Sequence, residues 1–117
     1  MKLDDFKALV EKRFEDCRNI LLAKNKEYAA KDDKLSNFRQ AAGLKGETPE
    51  KALWGMWAKH IISIRKIVDD LDAGTIPPEA LLSEKCGDMI NYTLLLEALI
   101  IDRMEKNVIM RGLSLGP

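Results

Sequence analysis

Apolar residues recur every third or fourth position along three long stretches of this chain, and no stretch alternates with period two. An α-helix turns such spacing into one continuous face, whereas a strand needs alternation. Over 4–28 the stripe reads Leu3, Phe6, Val10, Phe14, Cys17, Leu21 and Tyr28. Over 49–73 it reads Leu53, Met56, Trp57, His60, Ile61, Ile64, Ile67, Val68 and Leu71. Over 78–106 it reads Leu81, Leu82, Cys86, Met89, Thr93, Leu96, Leu99 and Ile100. The predicted fold class is therefore all-α: a bundle of three long amphipathic helices plus a short helix.

Local signals set the boundaries. Asp4 is a good N-cap for the first helix. Thr48 and Pro49 open the second, with Thr48 as cap and Pro49 in the first turn, where its missing N–H costs nothing. Gly74 closes that helix, and Pro77-Pro78 stiffens the connector to the third. Residues 24–37 lose the periodicity and are polar, which predicts a frayed helix end and a loop. A short helix is expected over 38–42, stopped by Gly43. The 117 residues make one domain over 1–111, with 112–117 a flexible tail.

Charge and composition narrow the function. Nineteen basic and nineteen acidic residues cancel, so no global field attracts nucleic acid or an anionic membrane. The longest apolar run is interrupted by Glu97 and too short to span a bilayer. Cys17 and Cys86 lie within apolar stripes and lack a CxxC partner, which predicts two buried free thiols and a cytoplasmic setting. Trp54 and Trp57 cannot share one buried stripe, so either one lies at the surface or an interface, or the helix buries two faces. That feature, with apolar residues nearly all round the third helix, predicts a homo-oligomer, most simply a dimer.

The chemistry concentrates in EKCGDMINYTLLLEAL. Glu84, Asp88 and Asn91 share one helix face, which turns apolar at Leu95 and Ala98. Two carboxylates at the edge of a core must be offset, either by a base from the first or second helix or by a hard cation such as Mg²⁺. Helix two offers Lys59 and His60, the latter the only histidine. The polar segment offers Lys24, Asn25, Tyr28 and Asn37: lysines for phosphate, and an aromatic ring with amides for a base. Walker, GxGxxG, HExxH and GxSxG patterns are absent from the sequence.

These residues resemble a family. EKCGDMINYTLLLEAL is similar to the third-helix signature of the MazG-like all-α nucleoside triphosphate pyrophosphohydrolases. The order KNKEYA, an Asp, NF, ALWGMWAKHIISI and EKCGDMINY resembles more closely the phage and prophage proteins called nucleotide modification associated domain 1. The similarity spans roughly residues 18–99. It implies a helical core that binds a nucleotide with Mg²⁺, and in MazG-like enzymes cleavage between the α- and β-phosphates. Glu84 and Asp88 match part of the second acidic motif, with Lys85 where a further carboxylate is usual. Lys59, His60 and Ser63 stand where the first motif would place an ExxE pair. That departure counts against a full multi-metal site and leaves a single metal or a metal-free phosphate site.

The resulting expectation is a nucleotide-binding protein with Glu84 and Asp88 as Mg²⁺ ligands. Glu84, Asp88 and Lys59 are the catalytic candidates. Lys24, Asn25, Tyr28, Asn37, His60, Asn91 and Tyr92 are the substrate-binding candidates. The competing expectation is a non-catalytic helical protein that sequesters a nucleotide signal or binds a host factor.

Overall fold

The computed structural model describes residues 1–23 and 35–114. It contains four helices: α1 (Leu3–Leu22), α2 (Ser36–Lys45), α3 (Pro49–Asp72) and α4 (Glu79–Ser114). No strand occurs among the described residues.

The helix ends follow backbone chemistry. Asp4 is not the cap of α1. The helix begins one residue earlier, after Lys2, and places Asp4 and Asp5 in its first turn, where the helix dipole favours them. At α3 the Thr48 hydroxyl accepts from the Lys51 N–H at 3.2 Å, with Pro49 in the first turn. Gly43 does not end α2, because a lone helical glycine costs only about 1 kcal/mol relative to alanine. The helix closes instead at Gly46, whose φ of 65° is left-handed. There the Glu47 N–H returns to the Ala42 carbonyl at 2.9 Å. Gly74, with φ of 90°, closes α3 in the same way, the Thr75 N–H reaching the Asp70 carbonyl at 2.8 Å. At its far end α4 runs past 106 to Ser114, into the segment expected as tail.

α4 is the spar of the molecule. Its 36 residues span about 54 Å at 1.5 Å each. α3 packs against it, α2 packs on α3, and α1 packs on α4 but not on α3. His60 lies opposite Asp88 and Glu50 opposite Arg103, so α3 and α4 are antiparallel. Arg13 lies opposite Ser83 and Cys17 opposite Gly87, so α1 and α4 are parallel.

The core gathers where α2, α3 and α4 meet: Ala42, Ala52, Leu53 and Leu99 are buried, and Leu53 is fully enclosed. Charged pairs fasten its rim. Arg103 grips both Glu50 oxygens at 2.8 and 2.6 Å, and Arg39 reaches Asp102 at 2.7 Å. The radius of gyration is 18.2 Å, against about 13 Å for a compact chain of this length. Among the described residues no helix is long and apolar enough to cross a membrane.

Candidate functional site

The inward turn of α4 from Ser83 to Tyr92 faces both neighbouring helices, and Asp88 sits at the junction. On the α3 side, Asp88 Oδ2 lies 3.2 Å from His60 Nδ1, with each side chain 26% exposed. The approach has the distance of an ion pair without the alignment of a hydrogen bond, and His60 Nδ1 is a buried atom with no hydrogen-bond partner among the described residues. One turn along, Asn91 is 6% exposed and its Oδ1 likewise lacks a partner.

Aromatic rings back this polar group. The His60 ring lies 4.8 Å from that of Tyr92, and Tyr92 stacks on Trp57 at 6.4 Å and 17°. Trp57 donates its Nε1–H to Met89 Sδ at 3.2 Å and meets Trp54 edge-on at 5.7 Å. Trp54 is the exposed member of the pair, which decides between the two alternatives the sequence left open. Burial raises the Tyr92 phenol above its ordinary value, and the Asp88 charge raises it further. Tyr92 therefore stays protonated and available as an O–H donor at neutral pH.

On the α1 side, Glu84 and Asp88 line a cavity of about 360 Å³ together with Arg13, Asp16, Cys17 and Ser83. Arg13 donates to the Ser83 hydroxyl at 2.9 Å and carbonyl at 3.3 Å, and pairs with Asp16 at 3.4 Å. The Cys17 thiol donates to the Gly87 carbonyl at 3.8 Å. Burial raises the Cys17 thiol, Arg13 pulls it back, and Asp16 and Asp88 push it up again, so the net shift is upward. Cys17 is a buried structural thiol rather than a nucleophile. Cys86, expected buried, is only half-buried, and both cysteines are free.

Of the residues singled out from the sequence, Asp88, His60 and Tyr92 come together, and Asn91 is buried within a turn of them on α4. Glu84 joins them across the cavity wall, itself exposed. Lys59 is exposed on α3, about 100° round the helix from His60. Asn37 is exposed on α2. Lys24, Asn25 and Tyr28 lie outside the described residues. Among those described, no group of three or more His, Cys, Asp and Glu side chains is arranged to hold a metal ion. Arg13, Asp16 and Ser83 were not anticipated. Arg13 did carry a signal, since it stands between Val10 and Cys17 on the apolar stripe of α1.

Comparison with protein-family models, with curated proteins and with solved structures finds no match for this chain.

Proposed function

We propose that this chain binds a nucleotide on the face of α4 that carries Glu84, Asp88 and Asn91, as a phage-type protein related to the MazG-like pyrophosphohydrolases. One observation carries the reading. Near the Asp88 carboxylate, which already faces His60 Nδ1 at 3.2 Å, the buried Asn91 Oδ1 has no hydrogen-bond partner among the described residues. Leaving that acceptor unmade costs roughly 1–3 kcal/mol, and a polar ligand entering between α3 and α4 would offset that cost. Tyr92 supplies a protonated donor nearby, and Trp57 stiffens its ring from behind.

A divalent cation fits the acidic side of this face in one form. Mg²⁺ is commonly held by one or two carboxylates and completed by substrate phosphates and water. Glu84 and Asp88, which line one cavity, are that donor set. When bound, the ion would neutralise phosphate oxygens and activate water for attack on phosphorus. The chain's own residues orient the ligand: Asn91 accepts an N–H, Tyr92 donates, and Arg13, which lines the same cavity as Glu84 and Asp88, offers a cationic group for anionic oxygens. Self-association belongs to the same reading.

The competing reading, a non-catalytic protein that sequesters a nucleotide or binds a host factor, is favoured by the α3 stretch. Where an acidic pair would stand, Lys59 points to solvent and Ser63 donates back to the Lys59 carbonyl at 3.0 Å. The test is a thermal-shift panel of nucleotides with and without Mg²⁺, followed by an assay for released pyrophosphate. A ligand at about 100 times its dissociation constant adds about 2.7 kcal/mol of stability. A Mg²⁺-dependent shift with pyrophosphate release supports the enzyme, and a shift without turnover supports the binder. A panel in which no nucleotide moves the melting temperature defeats nucleotide binding in either form and leaves only the host-factor branch of the competing reading.

A further inference from the structure

Gly87 sits in the third turn of α4, where alanine would build a more stable helix. Two demands commonly require a glycine inside an element: a left-handed φ, or the close approach of another segment. The first does not apply, since among the described residues positive φ occurs only at Gly46 and Gly74. The second is suggested by the Cys17 thiol, which stands 3.8 Å from the Gly87 carbonyl. Yet a Cβ built on Gly87 meets no atom of the described residues within 4 Å. The packing of α1 on α4 therefore does not need the glycine either.

Gly87 is nevertheless buried. The room left by its missing side chain lies under α1, in the cavity of about 360 Å³ that Gly87 lines with Arg13, Ser83, Glu84 and Asp88. A Cβ on an α-helix leans towards the N-terminus, here towards Ser83 and Glu84. A methyl at position 87 would stand on the cavity floor beside the carboxylates.

We propose that Gly87 is the contact surface for the phosphate end of the nucleotide, its bare backbone leaving space for metal-bound oxygens between Glu84, Asp88 and Arg13. The inference rests on the nucleotide reading above and assigns one end of that ligand to one turn of α4. Chemistry and size choose the phosphate end. Asp16, Glu84 and Asp88 line the cavity against one guanidinium, that of Arg13. Such a wall takes a divalent cation, and phosphate oxygens enter with the ion. Asn91 stands one turn further along the same face, 6% exposed with Oδ1 unpartnered among the described residues. Helical side chains lean back by one turn, which aims Asn91 at Gly87, and its free acceptor suits a hydrated cation. The cavity is close to the roughly 300 Å³ lower limit of small-molecule sites. It has room for a phosphate chain, with base and sugar left outside.

The test is calorimetric titration with Mg²⁺ and inorganic pyrophosphate, the fragment common to nucleoside triphosphates. Gly87→Ala is expected to weaken pyrophosphate binding about tenfold or more, because a methyl overfills the occupied site. Without ligand the same variant should melt about 2–4 °C higher than wild type. Gly55→Ala is the control, at an exposed glycine inside α3 with equally open surroundings. It should melt higher as well and bind pyrophosphate as wild type does. Equal pyrophosphate affinity in wild type and Gly87→Ala, or an equal loss in Gly55→Ala, overturns the inference and leaves the nucleotide reading standing. So does a nucleotide that binds with Mg²⁺ while pyrophosphate neither binds nor displaces it. A lower melting temperature for Gly87→Ala means that α1 requires the glycine, and also overturns the inference. If neither pyrophosphate nor any nucleotide binds the wild-type chain, the nucleotide reading fails and the inference with it.

Discussion

The two sides of α4 that flank Asp88 are built from different material. Towards α3 the contact is a ladder of rings, Trp54, Trp57, Tyr92 and His60, continued by enclosed Leu53 and closed by the Glu50–Arg103 pair. Towards α1 it is one arginine on a serine, one thiol on a carbonyl, and a cavity between them. Ring and aliphatic packing resists displacement because many dispersion contacts are lost together. A polar anchor over open space exchanges easily with water. The candidate site thus has one fixed wall and one adjustable wall, and the shared carboxylate belongs to both.

Substitutions on the two sides test that contrast. The largest effect is expected from Leu53→Ala, which leaves a hole in the fixed wall and costs about 2–5 kcal/mol in urea denaturation. Arg13→Ala should cost about 1.5–3 kcal/mol, the range for a hydrogen bond to a charged group. It should also speed labelling of native Cys17 by a thiol reagent, since the parallel contact of α1 would open. If Arg13→Ala cost more than Leu53→Ala, the contrast between the walls would be inverted.

Smaller effects sharpen the contrast at the junction and at the rim. Asp88→Asn should weaken Mg²⁺-dependent nucleotide binding at least about tenfold, or 1.4 kcal/mol, read by calorimetric titration, while the melting temperature moves little. A stability loss of about 3–5 kcal/mol with no ligand effect would instead mark Asp88 as the counter-charge of a buried base. The smallest effect concerns Glu50. Burial raises its carboxyl, but the Arg103 hydrogen bond, its own backbone and the Arg103 charge outweigh that and hold it below the usual value. A depressed folded value means the stabilisation is present above the unfolded value of about 4.3. It is lost as pH falls through the folded value. Glu50→Gln should therefore be less stable than wild type at pH 7, and the difference should shrink in melts taken at successively lower pH.

The sequence made the helices legible because the signals are local. Thr48-Pro49 and Gly74 act through their own backbone chemistry, and the three-to-four spacing survives any tertiary arrangement. Gly43 misled because one glycine cannot stop a helix whose left-handed closure is available three residues later. In the site, spacing put Asp88, Asn91 and His60 on inward faces. Their meeting depends on the antiparallel register of α3 on α4, which packing decides. Arg13 showed its inward position by standing within the α1 stripe, but nothing near residue 13 encodes its apposition to Ser83 seventy residues on. Lys59 was read from its adjacency to His60, but neighbours in a helical sequence point about 100° apart.

The ladder beside Asp88 has a spectroscopic consequence. Trp57 is half-buried, bound through its indole N–H to Met89 and stacked on Tyr92, whose ring abuts His60. Trp54, at 57% exposure, emits from a water-like setting. The chain thus holds two indoles in unlike settings, Trp57 one ring from Tyr92 and Trp54 one ring further out along the same ladder. At 5.7 Å the two indoles share excitation energy, so a ligand bound beside Asp88 should change the intensity of the pair as a whole, and the unlabelled protein can report its own titration.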